Sequence, residues 1–247
     1  MCAVQVDGRD LLASASDDAT VRILDPATGV EIDQLTGHTE GVTSVCAVRV
    51  EERDLLVSAG NDRTVRIWNP TTDSQLRPFV GHIQRVNSVC AVQVDGRDLL
   101  ASASDDATVR IWDPTNGTEL CQFTGHIEGV TSICAVRVEE RDLLASAGKA
   151  KVRIWDPATG TRLCQFINHT GWVTSMCAVR LDGRDLLASA SKDTTVRIWD
   201  PVTGTELARI PTYSVARALV SFGTVLIIGL DTGLLTVHFS LDPDPDR

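Results

Sequence analysis

The chain has 247 residues, long enough for a sizeable core and for one large all-β domain. Its 33 acidic residues outnumber 23 basic ones for a formal charge of −10, which argues against a protein that grips a phosphate backbone, so no nucleic-acid partner is expected. Hydrophobic residues make up 43 %, ordinary for a globular chain, and no window of about 20 residues is free of charge and turn formers, so neither a membrane span nor a membrane partner is expected.

The opening "MCAVQVDGRD" has no basic stretch followed by an apolar run, so no signal peptide is read there. From Cys2 onward, short runs rich in Val, Ile, Leu and Thr alternate with turn residues. The unit is clearest between Gly37 and Val80. "VTSVCAV" (42–48) meets a Glu-Glu turn, an Asp-Gly turn in other copies. "RDLLVSAG" (53–60), a tight turn and "TVRIWN" (64–69) follow, then "PTTD" turns the chain into "SQLRPFV" (74–80). Strand-length runs joined by hairpin chemistry predict a four-stranded antiparallel meander. Val65 and Ile67 point to one face and Trp68 to the other. A meander that is apolar on both faces must stack on its own copies. Such sheets stack radially into a propeller.

The copies follow in register. Gly37-His38 recurs as Gly81-His82, Gly125-His126 and Asn168-His169, at steps of 44, 44 and 43 residues. The short step holds "ASAGKAKVRIWDP" (145–157) where the preceding copy reads "ASASDDATVRIWDP" (101–114), so one residue and both acids are gone. Blades are expected over about 1–36, 37–80, 81–124, 125–167, 168–211 and 212–247, forming one propeller domain over 1–247. The first begins in mid-blade without Gly-His. The last is degenerate, with Tyr213 near the His position, Phe239 near the Trp position and no fourth strand. The fold expected is all-β, a propeller of six four-stranded antiparallel blades with the last three-stranded. The alternative is part of a larger propeller of seven or more blades. An open edge on blade six would invite self-association. A start in mid-blade suggests the C-terminal part of a longer protein. Residues 2–23 recur unchanged at 90–111, an offset of 88, so the amplified unit was two blades.

The Gly-His opening, the "SASDD" turn and the Trp-Asp pairs Trp112-Asp113, Trp155-Asp156 and Trp199-Asp200 resemble the WD-repeat β-propeller family, with departures at Leu24-Asp25 and Trp68-Asn69. The "VDGRDLLASA…IWDPATG" idiom is similar to WD-repeat arrays of bacterial, especially actinobacterial, multidomain proteins, where an effector domain commonly stands upstream. The resemblance implies a hydrogen-bonded network within each blade: His38, Ser58, Asp62 and Trp68; His82, Ser102, Asp106 and Trp112; His169, Ser189, Asp193 and Trp199. Blade four keeps His126, Ser146 and Trp155 without the Asp. Ser, His and Asp together invite a hydrolase reading. Three near-identical copies on one scaffold argue for a structural network instead, so no enzyme activity is expected.

The seven cysteines form no C-x-x-C pair, and five open a "CAV" run. They read as small buried residues of a reducing compartment, which favours the cytoplasm. No spacing suits a metal or a cofactor, and none is expected. Calcium could be held by the terminal "DPDPDR" (242–247), but a solvated tail suits that composition better. Variety concentrates in the loop after the His and in the turn between strands two and three. There Trp172, Arg85, Lys149 and Lys192 stand out as candidate partner-binding residues, Trp172 lying outside the repeated Trp positions. The function expected is a non-catalytic scaffold or sensor binding a protein or peptide through its loop face. The alternatives are a small ligand or a reaction at the central channel, and a truncated propeller fragment without independent function.

Overall fold

The computed structural model describes residues 1–6, 8–51, 53–72, 74–181 and 183–239, so the "DPDPDR" segment lies outside the described residues. Among the described residues there are 23 strands and no helix. The first sheet runs β1 (Cys2–Val6), β2 (Arg9–Ala15), β3 (Thr20–Leu24), β4 (Glu31–Thr36). The second runs β5 (Val42–Val50), β6 (Arg53–Gly60), β7 (Thr64–Asn69), β8 (Ser74–Val80). The third runs β9 (Val86–Val94), β10 (Arg97–Ser104), β11 (Val109–Trp112), β12 (Glu119–Phe123). The fourth runs β13 (Ser132–Val138), β14 (Arg141–Ala147), β15 (Val152–Trp155), β16 (Arg162–Phe166). The fifth runs β17 (Val173–Leu181), β18 (Arg184–Ser191), β19 (Thr195–Trp199), β20 (Glu206–Pro211), and the sixth has β21 (Ala216–Phe222), β22 (Val225–Leu230) and β23 (Gly233–His238). The fold is a six-bladed β-propeller of antiparallel meanders whose last blade has three strands.

Local chemistry accounts for the meander. Asp95 (φ 50°) and Gly96 (φ 74°) both take left-handed backbone, the type I′ turn that matches the twist of β9 and β10. In the turn between strands two and three, Ala19, Arg63, Ala107 and Thr194 all take positive φ, from 60° to 69°. Ala150 holds the same conformation in blade four (φ 57°), so the residue missing there is the Asp before it. In blades two to five the second strand is buried on both faces over its last residues. Small side chains fill it there: Ala101, Ser102, Ala103 and Ser104 are fully buried in β10. Small residues let large ones from neighbouring sheets close over them.

The chain divides into two compact units, Met1–Ile133 with Pro157–Gly160, and Cys134–Asp156 with Thr161–Arg247. In the first unit, Val21, Ile23 and Leu35 of blade one pack with Leu56 and Trp68 of blade two. Val65 and Ile67 point away from that cluster and pack with Leu100 and Trp112 of blade three. Phe79 stacks on Trp112 at 5.7 Å between ring centroids. The second unit repeats the plan. Val152, Ile154 and Phe166 of blade four cover Leu187 and Trp199 of blade five, with Phe166 stacked on Trp199 at 4.9 Å. Val196 and Ile198 then pack with Leu226 and Ile228 of blade six. Each of Trp68, Trp112 and Trp199 thus seals its blade against the one before it.

Candidate functional site

In blades two, three and five the third-strand Trp, the second-strand Ser, the loop His and the turn Asp form one hydrogen-bonded line. Trp68 Nε1–H donates to Ser58 Oγ (2.8 Å), Ser58 Oγ lies 2.7 Å from His38 Nε2, and His38 Nδ1 lies 2.9 Å from Asp62 Oδ2. The corresponding distances are all 2.8 Å for Trp112, Ser102, His82 and Asp106. They are again 2.8 Å for Trp199, Ser189, His169 and Asp193. Donor arithmetic sets the proton positions. The indole can only donate, so the hydroxyl turns its own proton to Nε2 and Nδ1–H donates to the carboxylate.

The Asp ties the turn as well as the ring. Asp106 Oδ1 accepts from Thr108 N–H (3.0 Å) and O–H (2.6 Å), and Oδ2 accepts from Ile83 N–H (3.2 Å). Burial alone would raise the carboxyl pKa of Asp62, Asp106 and Asp193. The Thr hydroxyls, backbone N–H groups and His rings outweigh it and hold all three low, Asp193 at about 2. Burial pushes His38, His82 and His169 below the usual imidazole value, against the pull of their Asp partners, so these rings are neutral. The connectivity is that of a Ser-His-Asp triad, but the chemistry differs. Each serine is fully buried, and its oxygen already accepts an indole N–H. A substrate carbonyl has no approach to such an oxygen in this conformation.

Gly81, before His82, is required by close approach. A Cβ there would lie 2.9 Å from Trp112 and 2.7 Å from Arg110. Below the Trp, Asp113 caps the "DPTNG" turn by accepting from Thr115 N–H (2.9 Å) and pairs with Arg97 at 2.8 Å. Arg184 and Asp200 repeat this at 2.9 Å.

A family model described as WD domain, G-beta repeat matches residues 29–69, 73–113, 117–156 and 160–200, well over half of the chain. The chain belongs to the WD-repeat family. Among curated proteins none matches it. Each matched WD repeat takes the fourth strand of one blade with the first three of the next and ends on the Trp-Asp or Trp-Asn pair.

Blade six lies beyond the matched repeats, and its register revises two positions. Ala216 pairs with Leu230 as Val173 pairs with Ser191, so the His169 position falls on buried Thr212, whereas Tyr213 is 75 % exposed. Val237 pairs with Leu226 as Trp199 pairs with Leu187, so Val237, not Phe239, holds the Trp position. Ile228 replaces the Ser. With no indole and no imidazole, the blade needs no hydroxyl between them.

The variable rim is built by backbone pairing. In the second unit Lys149 and Trp172 form a bridge, with Ala150 N–H donating to Gly171 O (3.1 Å) and Val173 N–H to Gly148 O (3.1 Å). Lys192 N–H donates to Trp172 O at 2.9 Å. Half-buried Trp172 is therefore clasped between two turns whose exposed lysines, Lys149 and Lys192, flank it. At the same repeat position in the first unit stand Gly41, Arg85 and Gly129. Arg85 Nε lies 3.0 Å from Asp105 and 2.7 Å from Asn87, so its charge is held on the rim. In blade four, Trp155 Nε1–H donates to Ser146 Oγ (2.8 Å), while His126 is half-buried where the other three are buried.

All seven cysteines are free thiols. Burial pushes Cys177 up to about 12 and Cys2 to about 11, and raises Cys46 and Cys134 further, so they are protonated and poor nucleophiles. Among the described residues no group of three His, Cys, Asp or Glu side chains could hold a metal. No helix among them is long and apolar enough to cross a membrane.

Proposed function

We propose that the chain is a non-catalytic interaction module that binds a protein partner through the rim around Trp172, with the His-Ser-Asp-Trp sets serving as framework. The carrying observation is the clasp of Trp172 between Lys149 and Lys192. A Trp at a position that is Gly in two other blades has no part in the frame. A half-buried indole held by backbone bonds on both sides offers a rigid anchor, and tryptophan dominates binding energy at interfaces more than most residues do. Arg85, tied to Asp105 and Asn87, has the lesser part of presenting charge on the first unit. The polar residues of the first strands bind neighbouring blades rather than facing a ligand: Thr43 Oγ1–H donates to Val86 O (2.5 Å) and Thr174 Oγ1–H to Ala216 O (2.5 Å). That favours the rim over the central channel. The free thiols support a reducing, cytoplasmic setting, and the repeat idiom supports a bacterial one.

The test is affinity capture with the full chain and with Trp172→Ala side by side, followed by titration of the purified captured protein against both. Loss of an anchoring Trp is expected to weaken binding by about 2 kcal/mol, some thirtyfold. Equal affinities for the two chains would reject this rim as the binding surface.

A further inference from the structure

The third strands of blades one to five each carry an arginine two residues before the Trp or Leu position, and its environment in blade four differs from the other four. Arg110 Nη1–H donates to Glu119 (2.5 Å), Arg197 Nη1–H to Glu206 (2.6 Å) and Arg66 Nη1–H to Gln75 (2.6 Å). Arg22 meets Asp18 at 2.6 Å and Glu31 at 3.4 Å. In blade four the register pairs Trp155 with Arg162 as it pairs Trp112 with Glu119, so a cation stands where the carboxylate stood. The turn has lost the Asp that answers Asp106, and Lys151 takes the place of Thr108. Blade three carries Asp106, Thr108, Arg110 and Glu119, a net charge of −1; at the matching positions blade four lacks the Asp and carries Lys151, Arg153 and Arg162, a net charge of +3.

Arg153 is only 3 % exposed. Its Nε–H donates to Gln165 Oε1 at 3.0 Å, and its Nη1 is buried with no acceptor among the described residues. Burial, with Arg162 as the second cause, pulls its pKa down, the sign of a cation held without a counter-charge. A buried guanidinium N–H ordinarily finds an acceptor, and its planar fork matches oxyanions.

We infer that blade four binds an oxyanion at Arg153, framed by Lys151 and Arg162, in place of the two carboxylates that blades one, three and five supply from their own sequence. The site belongs to the blade interior and does not depend on the reading of the Trp172 rim. Free phosphate and the carboxylates of an acidic segment share the chemistry required. The full chain is heated with up to about 50 mM inorganic phosphate at constant ionic strength, and in parallel with a hexaglutamate peptide. At ten times Kd a rise in Tm of about 3–5 °C is expected, growing above Kd with the logarithm of the ligand concentration. Arg162→Glu, a change on the exposed face of β16, restores the missing carboxylate; it should start from a higher Tm and lose the response. That rise with phosphate assigns the site to a free ion, and the same rise with the peptide alone assigns it to an acidic partner segment. No rise with either ligand, or an equal rise in Arg162→Glu, overturns the inference.

Discussion

At the residue scale the buried imidazoles make stability depend on pH, and the sign follows from their surroundings. His38, His82 and His169 have folded pKa values below the usual one because burial disfavours the charged ring more than the Asp partners favour it. In the unfolded chain they titrate near about 6.5. As pH falls through that value the unfolded state takes up protons that the folded state refuses, so stability drops. The carboxylates act in the same direction, lower down. Asp62, Asp106 and Asp193 are held low by the Thr hydroxyls and His rings in spite of burial. Their contribution is complete above the unfolded value of about 3.9. It is lost as pH falls toward the folded values, near about 2 for Asp193. Urea unfolding at intervals from neutral pH downward should therefore show two separate losses, the first beginning below about pH 6.5. His82→Asn should shrink the first loss without removing it, because His38 and His169 remain. Stability unchanged across the first window would mean that the folded rings take up protons as readily as the unfolded ones, and stability rising as pH falls would mean that they are charged in the folded protein.

At the scale of the turn and the strand, blade four shows what one deleted residue removes. In blade three Asp106 organises the turn, accepting from Thr108 twice and from Ile83 N–H once. Gly148-Lys149-Ala150-Lys151 keeps the left-handed Ala150 but has no such acceptor in its sequence. Replacing 148–151 by Ser-Asp-Asp-Ala-Thr should stabilise the chain by about 1–3 kcal/mol, the range for returning a missing acceptor to a buried site. Calorimetry on the two full-length chains measures it, and an unchanged or lower Tm refutes it. The strands themselves were legible from sequence because Val, Ile, Thr and turn residues recur with fixed spacing, and the sixth blade's three strands could be read from the same pattern. Side-chain roles there were not. Thr212 and Val237 replace His and Trp with residues of different chemistry, and only the strand register separates them from the aromatic Tyr213 and Phe239 nearby. Sequence spacing also put the His, Ser, Asp and Trp of blades two, three and five at constant intervals. It carried no signal for the Lys149–Trp172 bridge, because that pairing joins turns of successive blades. The arginine at Arg153 was equally silent: a repeated residue attracts notice only when its partners are compared across copies.

At the scale of the whole chain, near-identical copies make a good frame and a poor folding code. Residues 2–23 and 90–111 have the same sequence, and both lie in the first unit. Their first hairpins share a register: Val4 pairs with Leu11 and Ala3 with Leu12, as Val92 pairs with Leu99 and Ala91 with Leu100. Even the cross-strand contact repeats, Gln5 with Asp10 at 3.0 Å and Gln93 with Asp98 at 3.4 Å. A hairpin from a second molecule can therefore take either place with the same internal contacts, and only the packing against neighbouring blades distinguishes them. A sequence funnels to one structure when competing arrangements are less stable, and identical segments remove part of that gap. Exchange of segments between molecules is the characteristic error of such repeats, and it is bimolecular where correct folding is not. Refolding from urea should consequently lose monomer as protein concentration rises from about 1 to about 50 µM, with the lost fraction eluting as soluble oligomers or aggregates on size exclusion. The native charge of −10 opposes association of folded chains, so the losses should arise during refolding and not on storage of folded monomer. Monomer recovery that is independent of concentration over that range would show that the packing of neighbouring blades alone selects the correct place for each copy.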